Sequence, residues 1–248
     1  MKLLIDIGNS KIKWATVKEN QFKFGNAEVY DVQSLGELLC TLWKDLETPE
    51  LIIIANVGGQ TVRDKITAWI KDHWSTQAEF VVPAVNAMGV TNAYSDPQKL
   101  GVDRWVNLIA AKKSYHSPVA IISCGTGITV DAMTADGQHQ GGVIAPGINL
   151  MRLSLLGHTA GCFLPKGYER KQSSWLGKRT EDGIISGSLI MAGAFINQCT
   201  ERLFWEFGKK LHCVITGGDA EVLLPMLKAQ YDYRPYLVLE GLAALVKS

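Results

Sequence analysis

Two stretches of the chain decide the predicted fold: LLIDIGNSKIKWATV at residues 3–17 and AIISCGTGITVDAM at residues 120–133. In each stretch an apolar run typical of a strand meets a turn of small residues, and a second run with strand character follows. Aligning the two stretches places Gly8 on Gly125. This correspondence predicts that one strand-turn-strand element occurs twice in the chain.

A second pair of segments repeats in the same order. The apolar run at residues 52–55 precedes Gly58-Gly59, and the run at residues 213–216 precedes Gly217-Gly218. Short continuous apolar runs are typical of strands that are covered on both faces. The sequence therefore predicts an α/β protein with a duplicated βββαβα unit, forming two similar domains around a cleft.

The remaining periodicity predicts the other elements and the domain limits. We expect domains at 1–115 and 116–248, because the boundary should fall near Ser114 to Pro118, after a helix over 103–113. Ser34 is a plausible N-cap for the first helix. The expected strands are 3–6, 12–17, 21–29, 51–55, 78–82, 119–122, 128–133, 137–144 and 213–216, and the expected helices are 35–43, 62–70, 103–113 and 184–207.

Composition excludes several classes of protein. The 248 residues include 25 Lys+Arg and 24 Asp+Glu, with 47% hydrophobic residues. This near-neutral charge gives no general attraction to nucleic acid or anionic lipid. No segment approaches the roughly 20 uninterrupted apolar residues of a bilayer span, and the first residues do not resemble a signal peptide. We therefore expect a cytoplasmic protein that binds neither nucleic acid nor membrane.

Cysteine and histidine do not predict a metal site or a disulfide framework. The five cysteines are scattered without a CxxC pair, and the five histidines lack HExxH or paired-ligand spacing. Reduced thiols, and histidines of the surface or core, are the simplest interpretation. Candidate chemistry is therefore sought among carboxylates and hydroxyls.

The first turn has the composition of a phosphate-binding loop, although both GxxxxGK[ST] and GxGxxG are absent. Small residues at 8–10 would let backbone N–H groups approach phosphate oxygens. Lys13 lies on the same strand face as Lys11 and could reach a phosphate. Asp6, at the strand's end, is suited to holding Mg²⁺ through water. An ordinary hairpin capped by polar residues is the alternative.

A second group of polar residues lies at 94–104, where Asp103 and Arg104 begin a helix. A carboxylate there could accept a hydroxyl proton, and the guanidinium could bind an anion. The helix dipole alone is a sufficient structural reason for an acid at position 103. The sequence leaves both interpretations of Asp103 open.

Five motifs in order resemble one family. The motifs are DIGNSKIKW (6–14), LGVDRW (100–105), GTGITVDA (125–132), GGVIAPG (141–147) and TEDG (180–183). Together they resemble type III pantothenate kinase, the family of Bvg accessory factor-like proteins, over essentially the whole chain. The family belongs to the actin-like ATPase superfamily with sugar kinases, in agreement with the duplicated unit.

The resemblance implies ATP-dependent phosphorylation of pantothenate, the first step of coenzyme A biosynthesis, with Asp103 as general base. It implies a homodimer in which Thr180 closes the pantothenate site from the partner subunit. It further implies ATP-phosphate contacts by Asp6, Ile7, Gly8, Asn9, Ser10, Lys11, Ile12, Lys13 and Thr126, and a pantothenate site lined by Tyr94, Gly101, Val102, Asp103, Arg104 and Thr180.

One residue departs from the family pattern. Family members usually read Asp-x-Gly-Thr at the second turn, where the Asp helps to hold a monovalent cation such as K⁺ or NH₄⁺. This chain has Ser123 at that position. A neutral hydroxyl predicts weaker cation binding, another charge in its place, or reduced catalysis. An ATP-binding regulatory protein is therefore an alternative function, and a sugar or acetate-type kinase is another that does not explain LGVDR.

Three further segments carry open interpretations. Asp131 could face the nucleotide or could be a solvated or turn-capping acid. The basic segment 166–179 predicts a solvated loop, with a mobile cover over anionic ligands as the alternative. The helix over 184–207 is apolar around much of its circumference, which predicts the core of its own domain and of a dimer interface.

Overall fold

The computed structural model describes residues 1–19, 21–158 and 175–246, with the backbone alone described for 157 and 158. Residues 166–174 of the predicted basic segment 166–179 lie outside the described residues. In chain order the elements are β1 (Lys2–Ile7), β2 (Lys11–Lys18), β3 (Gln21–Phe24), β4 (Glu28–Val29), α1 (Leu35–Trp43), β5 (Leu51–Asn56), α2 (Gln60–Trp74), β6 (Ala78–Phe80), β7 (Asn86–Ala87), β8 (Val90–Thr91), α3 (Val102–Ser114), β9 (Val119–Cys124), β10 (Gly127–Met133), β11 (His139–Pro146), α4 (Ile148–His158), α5 (Thr180–Phe207), β12 (His212–Thr216), α6 (Ala220–Leu223), β13 (Asp232–Tyr233) and α7 (Leu237–Val246).

The chain forms two compact units. Unit 1 comprises residues 1–114, 136–138 and 236–248, and unit 2 comprises residues 115–135 and 139–235. The predicted limits 1–115 and 116–248 do not include the return of the C-terminal residues to unit 1. That return has a physical reason, because apolar helix α7 is buried against α3, and a Cβ at Gly241 would lie 2.1 Å from the carbonyl oxygen of Val106.

The sheet of unit 1 has the strand order β3-β2-β1-β5-β6, with β4 paired to β2. β1 is antiparallel to β2 and parallel to β5. Inward side chains of β1, β2 and β5 pack against α1 and α2 and are almost fully buried. These packed residues include Leu3, Ile5, Ile12, Ile52, Ile54, Leu39, Trp43 and Ile66.

The sheet of unit 2 has the strand order β11-β10-β9-β12-β13. β9 is antiparallel to β10 and parallel to β12, so it repeats the pairing of β1. Its core side chains pack against α5 and α6, and they include Ala120, Ile122, Ile128, Ile185, Leu189, Ile196, Ile215 and Leu223. The predicted duplication of the βββαβα unit is confirmed, since Gly8 and Gly125 follow equivalent central strands.

One local prediction is wrong, and another is confirmed in position only. The expected strand 21–29 is divided into β3 and β4 at Gly25, because the chain passes over the ring of Trp14. A Cβ at Gly25 would lie 2.1 Å from Trp14 Cε2, so only glycine fits there. Ser34 does stand at the N-terminus of α1, but its side chain makes no capping hydrogen bond.

Helix α5 is half covered. Ile185, Leu189 and Ile196 face the core of unit 2, whereas Ile190 and Met191 are exposed. By length and composition the segment Thr180–Lys210 could cross a membrane, a property that buried helices of soluble proteins share. The helix predicted over 184–207 corresponds to α5, which begins earlier, at Thr180. Its exposed apolar side chains do not contribute to the core of unit 2.

Candidate active site

The first phosphate-binding candidate is the hairpin turn between β1 and β2 in unit 1. The Gly8 N–H donates to the Lys11 carbonyl oxygen at 2.9 Å, and Asn9 and Ser10 are exposed at the tip. The Tyr30 hydroxyl donates to the Gly8 carbonyl oxygen at 2.8 Å. The turn is therefore held from its own unit, while the tip remains accessible to an anion.

A second turn holds Tyr30 in place. A Cβ at Gly58 would lie 2.5 Å from the Tyr30 hydroxyl oxygen, so any side chain at this position would clash with Tyr30. Asn56 Oδ1 accepts the Gly58 N–H at 2.9 Å, and its Nδ2 donates to the Gly59 carbonyl oxygen at 3.0 Å. Sequence reasoning missed Tyr30 and Asn56, and read Gly58-Gly59 only as a strand break.

Asp6 and Lys13 are directly paired across β1 and β2. Burial raises the pKa of Asp6 to about 7; Lys13 opposes this shift and the charge of Asp103 adds to it. Burial also lowers the pKa of Lys13, against the influence of Asp6. Asp6, Lys13 and Asp103 therefore share one electrostatic environment, although 90 residues separate Lys13 from Asp103 in the chain.

Asp103 lies in the first turn of α3, and its carboxylate is held by local contacts. Oδ1 accepts the Arg104 N–H at 2.9 Å, and the Trp105 N–H donates to the Gly101 carbonyl oxygen at 2.9 Å. A Cβ at Gly101 would lie only 2.7 Å from Asp103 Oδ1. Glycine at position 101 is thus required by the position of the carboxylate, a reason that the sequence motif alone does not give.

Arg104 is almost completely buried, with 5% of its surface exposed. Its Nη1 donates to the Tyr94 hydroxyl at 2.9 Å, and the guanidinium carbon lies 5.7 Å from the centre of the Tyr94 ring. Asn92, which sequence reasoning missed, accepts the Tyr94 N–H and donates to the carbonyl oxygens of Ala84 and Pro97. Arg104 in the first turn of α3 therefore contacts Tyr94 on the preceding segment, which the buried amide of Asn92 stabilises.

Unit 2 holds the second turn, between β9 and β10. The Gly125 N–H donates to the Gly127 carbonyl oxygen at 3.0 Å, and Thr126 is exposed at the tip. Cβ atoms at Gly147 and Gly217 would lie 2.1 Å and 2.2 Å from carbonyl oxygens of Gly125 and Cys124. The backbone at Gly147 therefore lies directly against the turn within unit 2.

Ser123 is flanked by hydroxyl residues rather than by carboxylates. Its neighbours in register are Thr129 on β10 and Thr216 on β12. The hydroxyl of Thr129 is buried and lacks a hydrogen-bond partner among the described residues. A carboxylate near this turn comes from Asp219, whose N–H donates to the Cys124 carbonyl oxygen at 3.1 Å, and whose charge adds to the effect of burial in raising the Cys124 pKa to about 12. Sequence reasoning missed Asp219.

The expectation that Asp131 is a solvated or turn-capping acid is wrong. It is 2% exposed, and His139 Nε2 lies 3.0 Å from its Oδ1. The β-bulge between Asp131 and Met133 lies at this pair. A buried and paired carboxylate is expected to stabilise the β10-β11 hairpin rather than to bind a ligand.

Two remaining predictions concern Thr180 and a metal. Thr180 is exposed and is the first residue of α5, where Arg179 forms paired hydrogen bonds of 3.1 Å with Asp182. No group of three or more His, Cys, Asp or Glu side chains that could hold a metal occurs in the described ranges. Mg²⁺ often keeps several waters and binds through one or two carboxylates together with substrate phosphates.

Sequence comparison identifies close relatives. The profile of a family described as type III pantothenate kinase matches residues 2–202. A type III pantothenate kinase from Nitrosococcus oceani is 38% identical and aligns with 100% of this chain and 94% of its own length. Another from Hydrogenovibrio crunogenus is 31% identical, with both chains fully covered.

Structural comparison supports the fold. A Baf family protein from Campylobacter jejuni, described as a transcriptional activator, has a TM-score of 0.57 at 20% identity and covers 99% and 97% of the two chains. The ethanolamine utilization protein EutJ from Carboxydothermus hydrogenoformans has a TM-score of 0.54 at 13% identity and covers 98% and 89%. With the duplicated sheets, these likenesses confirm the predicted α/β fold built from two similar units.

Proposed function

The chain belongs to the type III pantothenate kinase family, and we infer that it transfers the γ-phosphoryl group of ATP to the hydroxyl of pantothenate, forming 4′-phosphopantothenate for coenzyme A biosynthesis. The structural observation behind this inference is that the charges of Lys13 and Asp103 both act on the buried carboxylate of Asp6 in unit 1, and that Asp6 in turn acts on Lys13. Phosphoryl transfer needs positioned groups of these types, because its catalysis depends mainly on alignment and charge stabilisation.

Asp103 is proposed as the general base. Its carboxylate accepts a hydrogen bond from the backbone N–H of Arg104, which helps to fix its orientation, and a carboxylate of this type can accept the proton of a substrate hydroxyl. The substrate side of the site is assigned to Tyr94 and Gly101 on the segment before α3, and to Val102 and Arg104 in the first turn of α3. The buried Arg104–Tyr94 contact supports a rigid wall for pantothenate rather than a mobile guanidinium.

The turn from Asp6 to Lys13 is proposed to bind the ATP phosphates, and Thr126 is proposed as a further phosphate contact. Exposed small residues at the tip and the half-buried Lys13 residue, paired with Asp6 across the strands, support this assignment. Asp6 would hold Mg²⁺ through water. The bound ion would supply positive charge that neutralises the phosphates, and Lys13 would orient the phosphate chain.

A monovalent cation is proposed to bind only weakly near Ser123. The hydroxyls of Ser123, Thr129 and Thr216 supply neutral oxygens at neighbouring register positions, and the nearby charge comes from Asp219. Neutral oxygens attract K⁺ or NH₄⁺ less strongly than a carboxylate at the same position. Asp219 is the candidate for the substitute charge.

We further propose a cytoplasmic homodimer formed through α5. The exposed apolar side chains Ile190 and Met191 on this helix support an interface, because burying them would remove apolar surface from contact with water. Thr180 at the start of the same helix would then lie at the partner's pantothenate site. The alternative of a purely regulatory ATP-binding protein has no observation in its favour.

The deciding experiment measures ATP-dependent phosphorylation of pantothenate by the purified protein with Mg²⁺, with and without K⁺. Asp103→Asn should lose about 10²-fold or more of the turnover while it still binds ATP. Asp96→Asn is the matched control, because Asp96 is an exposed carboxylate that caps the adjacent 3₁₀ turn. A folded wild type that binds ATP but forms no product would favour the regulatory alternative.

A further inference from the structure

A thiol–imidazole pair lies between two helices of unit 1, apart from the residues assigned to the kinase reaction. Cys40, near the end of α1, and His73, in the last turn of α2, are both exposed. The Cys40 Sγ and His73 Nε2 atoms are 3.7 Å apart. This separation is within hydrogen-bond range for sulfur, and it places a base beside a potential nucleophile.

The other ring nitrogen of His73 fixes its tautomer. Nδ1 lies 2.9 Å from the carbonyl oxygen of Trp69, which can only accept a hydrogen bond. Nδ1 therefore carries a proton, and in the neutral ring Nε2 offers its lone pair. The Cys40 S–H is the group facing that lone pair, so the geometry allows the thiol proton to pass to His73.

Trp69 supplies a second polar contact to the same sulfur atom. Its indole N–H donates to Cys40 Sγ at 3.2 Å, and its ring stacks on the His73 ring with centroids 4.1 Å apart. Trp69 itself is 7% exposed and packs edge-on against Trp43 and Trp74. After proton transfer the sulfur anion would accept from both the indole N–H and the imidazolium N–H, and a packed indole holds both donors in place.

The other described cysteines lie in different surroundings. Burial raises the pKa of Cys124 to about 12 and that of Cys213 to about 11. Cys199 is half-buried, and burial raises its pKa as well. Thiols of this kind react slowly, because the thiolate is the nucleophile. Cys40 alone among these four combines exposure with a neighbouring base and an N–H donor to sulfur.

We propose that Cys40 is a reactive thiol that forms mixed disulfides with low-molecular-weight disulfides, with His73 as its base. The Cys40 proton moves to His73 Nε2, and the thiolate attacks one sulfur atom of the disulfide RSSR. The new bond joins Cys40 Sγ to that sulfur, the S–S bond of the reagent breaks, and the leaving thiolate takes the proton from His73 as RSH. The net reaction converts Cys40–SH and RSSR into Cys40–S–S–R and RSH.

The test measures thiopyridone release from dithiodipyridine, an uncharged disulfide, by the full-length protein with Cys162 replaced by serine. Peptide mapping should identify Cys40 as the first cysteine modified. His73→Phe keeps an aromatic ring for stacking on Trp69 but removes the base, and it should slow Cys40 about tenfold at pH 7. The difference in rate between His73→Phe and the parent protein should shrink as the pH is raised above 9, where a thiol ionises without a neighbouring base.

Lys71→Ala is the matched control, because Lys71 is an exposed cation in the same helical turn. It should leave the rate within about twofold, and circular dichroism should show that each variant is folded. Oxidised glutathione then replaces the aromatic disulfide, and intact mass should show one added glutathione that Cys40→Ser abolishes. Equal rates for the wild type and His73→Phe, or first modification at another cysteine, would overturn the proposal.

Discussion

Asp6 and Lys13 face each other on paired positions of antiparallel strands, yet their opposite charges do not restore the ordinary pKa of either group. Burial dominates, raising the pKa of Asp6 to about 7 and lowering that of Lys13, and Asp103 adds to the shift at Asp6. A pair in which burial outweighs attraction is costly for the unliganded fold. A bound divalent cation and its phosphates would offset that cost, which fits the proposed role of the turn.

This relationship predicts that stability falls as the pH rises from about 4 to about 7. Over this range the folded protein keeps a proton on Asp6, whereas the unfolded chain has lost it, so proton release favours unfolding by at most about 1.4 kcal/mol per pH unit. Asp6→Asn should remove this dependence and raise the stability above pH 7 relative to the wild type. Urea unfolding at pH 4.5 and pH 8 measures both effects.

The same variant should lose kinase activity, because the carboxylate proposed to hold Mg²⁺ is gone. Asp96→Asn, which changes an exposed carboxylate, should alter neither the pH dependence of stability nor turnover. Identical urea midpoints for the wild type and Asp6→Asn at pH 8 would show that burial does not dominate at Asp6.

Gly101→Ala is predicted to lower kcat without unfolding the protein. The new Cβ would lie 2.7 Å from Asp103 Oδ1, so the carboxylate must move from its present position. Misplacing a reacting group by about 1 Å can cost about 10²-fold in rate. Steady-state kinetics should therefore show a large loss in kcat, with the Kd for ATP and the melting temperature close to those of the wild type.

Gly36→Ala provides the control for this substitution, because a Cβ at Gly36 meets no atom within 4 Å. Helix propensity favours alanine there by up to about 1 kcal/mol, so the control should be slightly more stable and fully active. An unchanged kcat in Gly101→Ala would contradict the assignment of Asp103 as the base.

Gly58→Ala tests how the phosphate turn is held. Its Cβ would come within 2.5 Å of the Tyr30 hydroxyl and displace the donor to the Gly8 carbonyl oxygen. We expect the KM for ATP to rise several-fold, with a stability loss of about 1 kcal/mol for the lost hydrogen bond. Tyr30→Phe should reproduce the KM change, since it removes the same donor without a clash.

The elements that the sequence predicted best are those with a strong local signal. The strand-turn-strand segments around Gly8 and Gly125 combine apolar runs with small-residue turns, and both lie where the alignment placed them. The division of 21–29 was not predictable, because the close approach of Gly25 to Trp14 is a tertiary contact with no mark in the local pattern.

The candidate site shows the same limit. Asp6, Lys13 and Asp103 were chosen for their residue type and position, and the structure brings them into one environment. Tyr30, Asn92 and Asp219 were missed because each acts through a contact with residues distant in sequence or with backbone atoms. Asp131 was ambiguous for the same reason, since its partner His139 lies across a hairpin.

Ser123→Asp is predicted to strengthen activation by K⁺. The wild type should show weak, poorly saturable activation at constant ionic strength, and the added carboxylate should lower the half-activating concentration about tenfold. Ser123→Asn is the matched control, because it has the size of Asp without its charge. Tight and saturable activation of the wild type would contradict the proposal that a hydroxyl at this position weakens the site.

Met191→Glu is predicted to dissociate the proposed homodimer. Met191 is 62% exposed on α5, on a surface that the core of unit 2 does not cover, and a charge buried in an interface without a partner opposes association. Light scattering after size-exclusion chromatography should show a monomer, and the KM for pantothenate should rise while ATP binding persists, because Thr180 would no longer reach the partner.

Val82→Glu is the control, since Val82 is an apolar residue of unit 1 with a similar 53% exposure. If both variants remain dimeric, α5 does not form the interface; if only Met191→Glu dissociates and its KM for pantothenate is unchanged, Thr180 has no role in the partner's site.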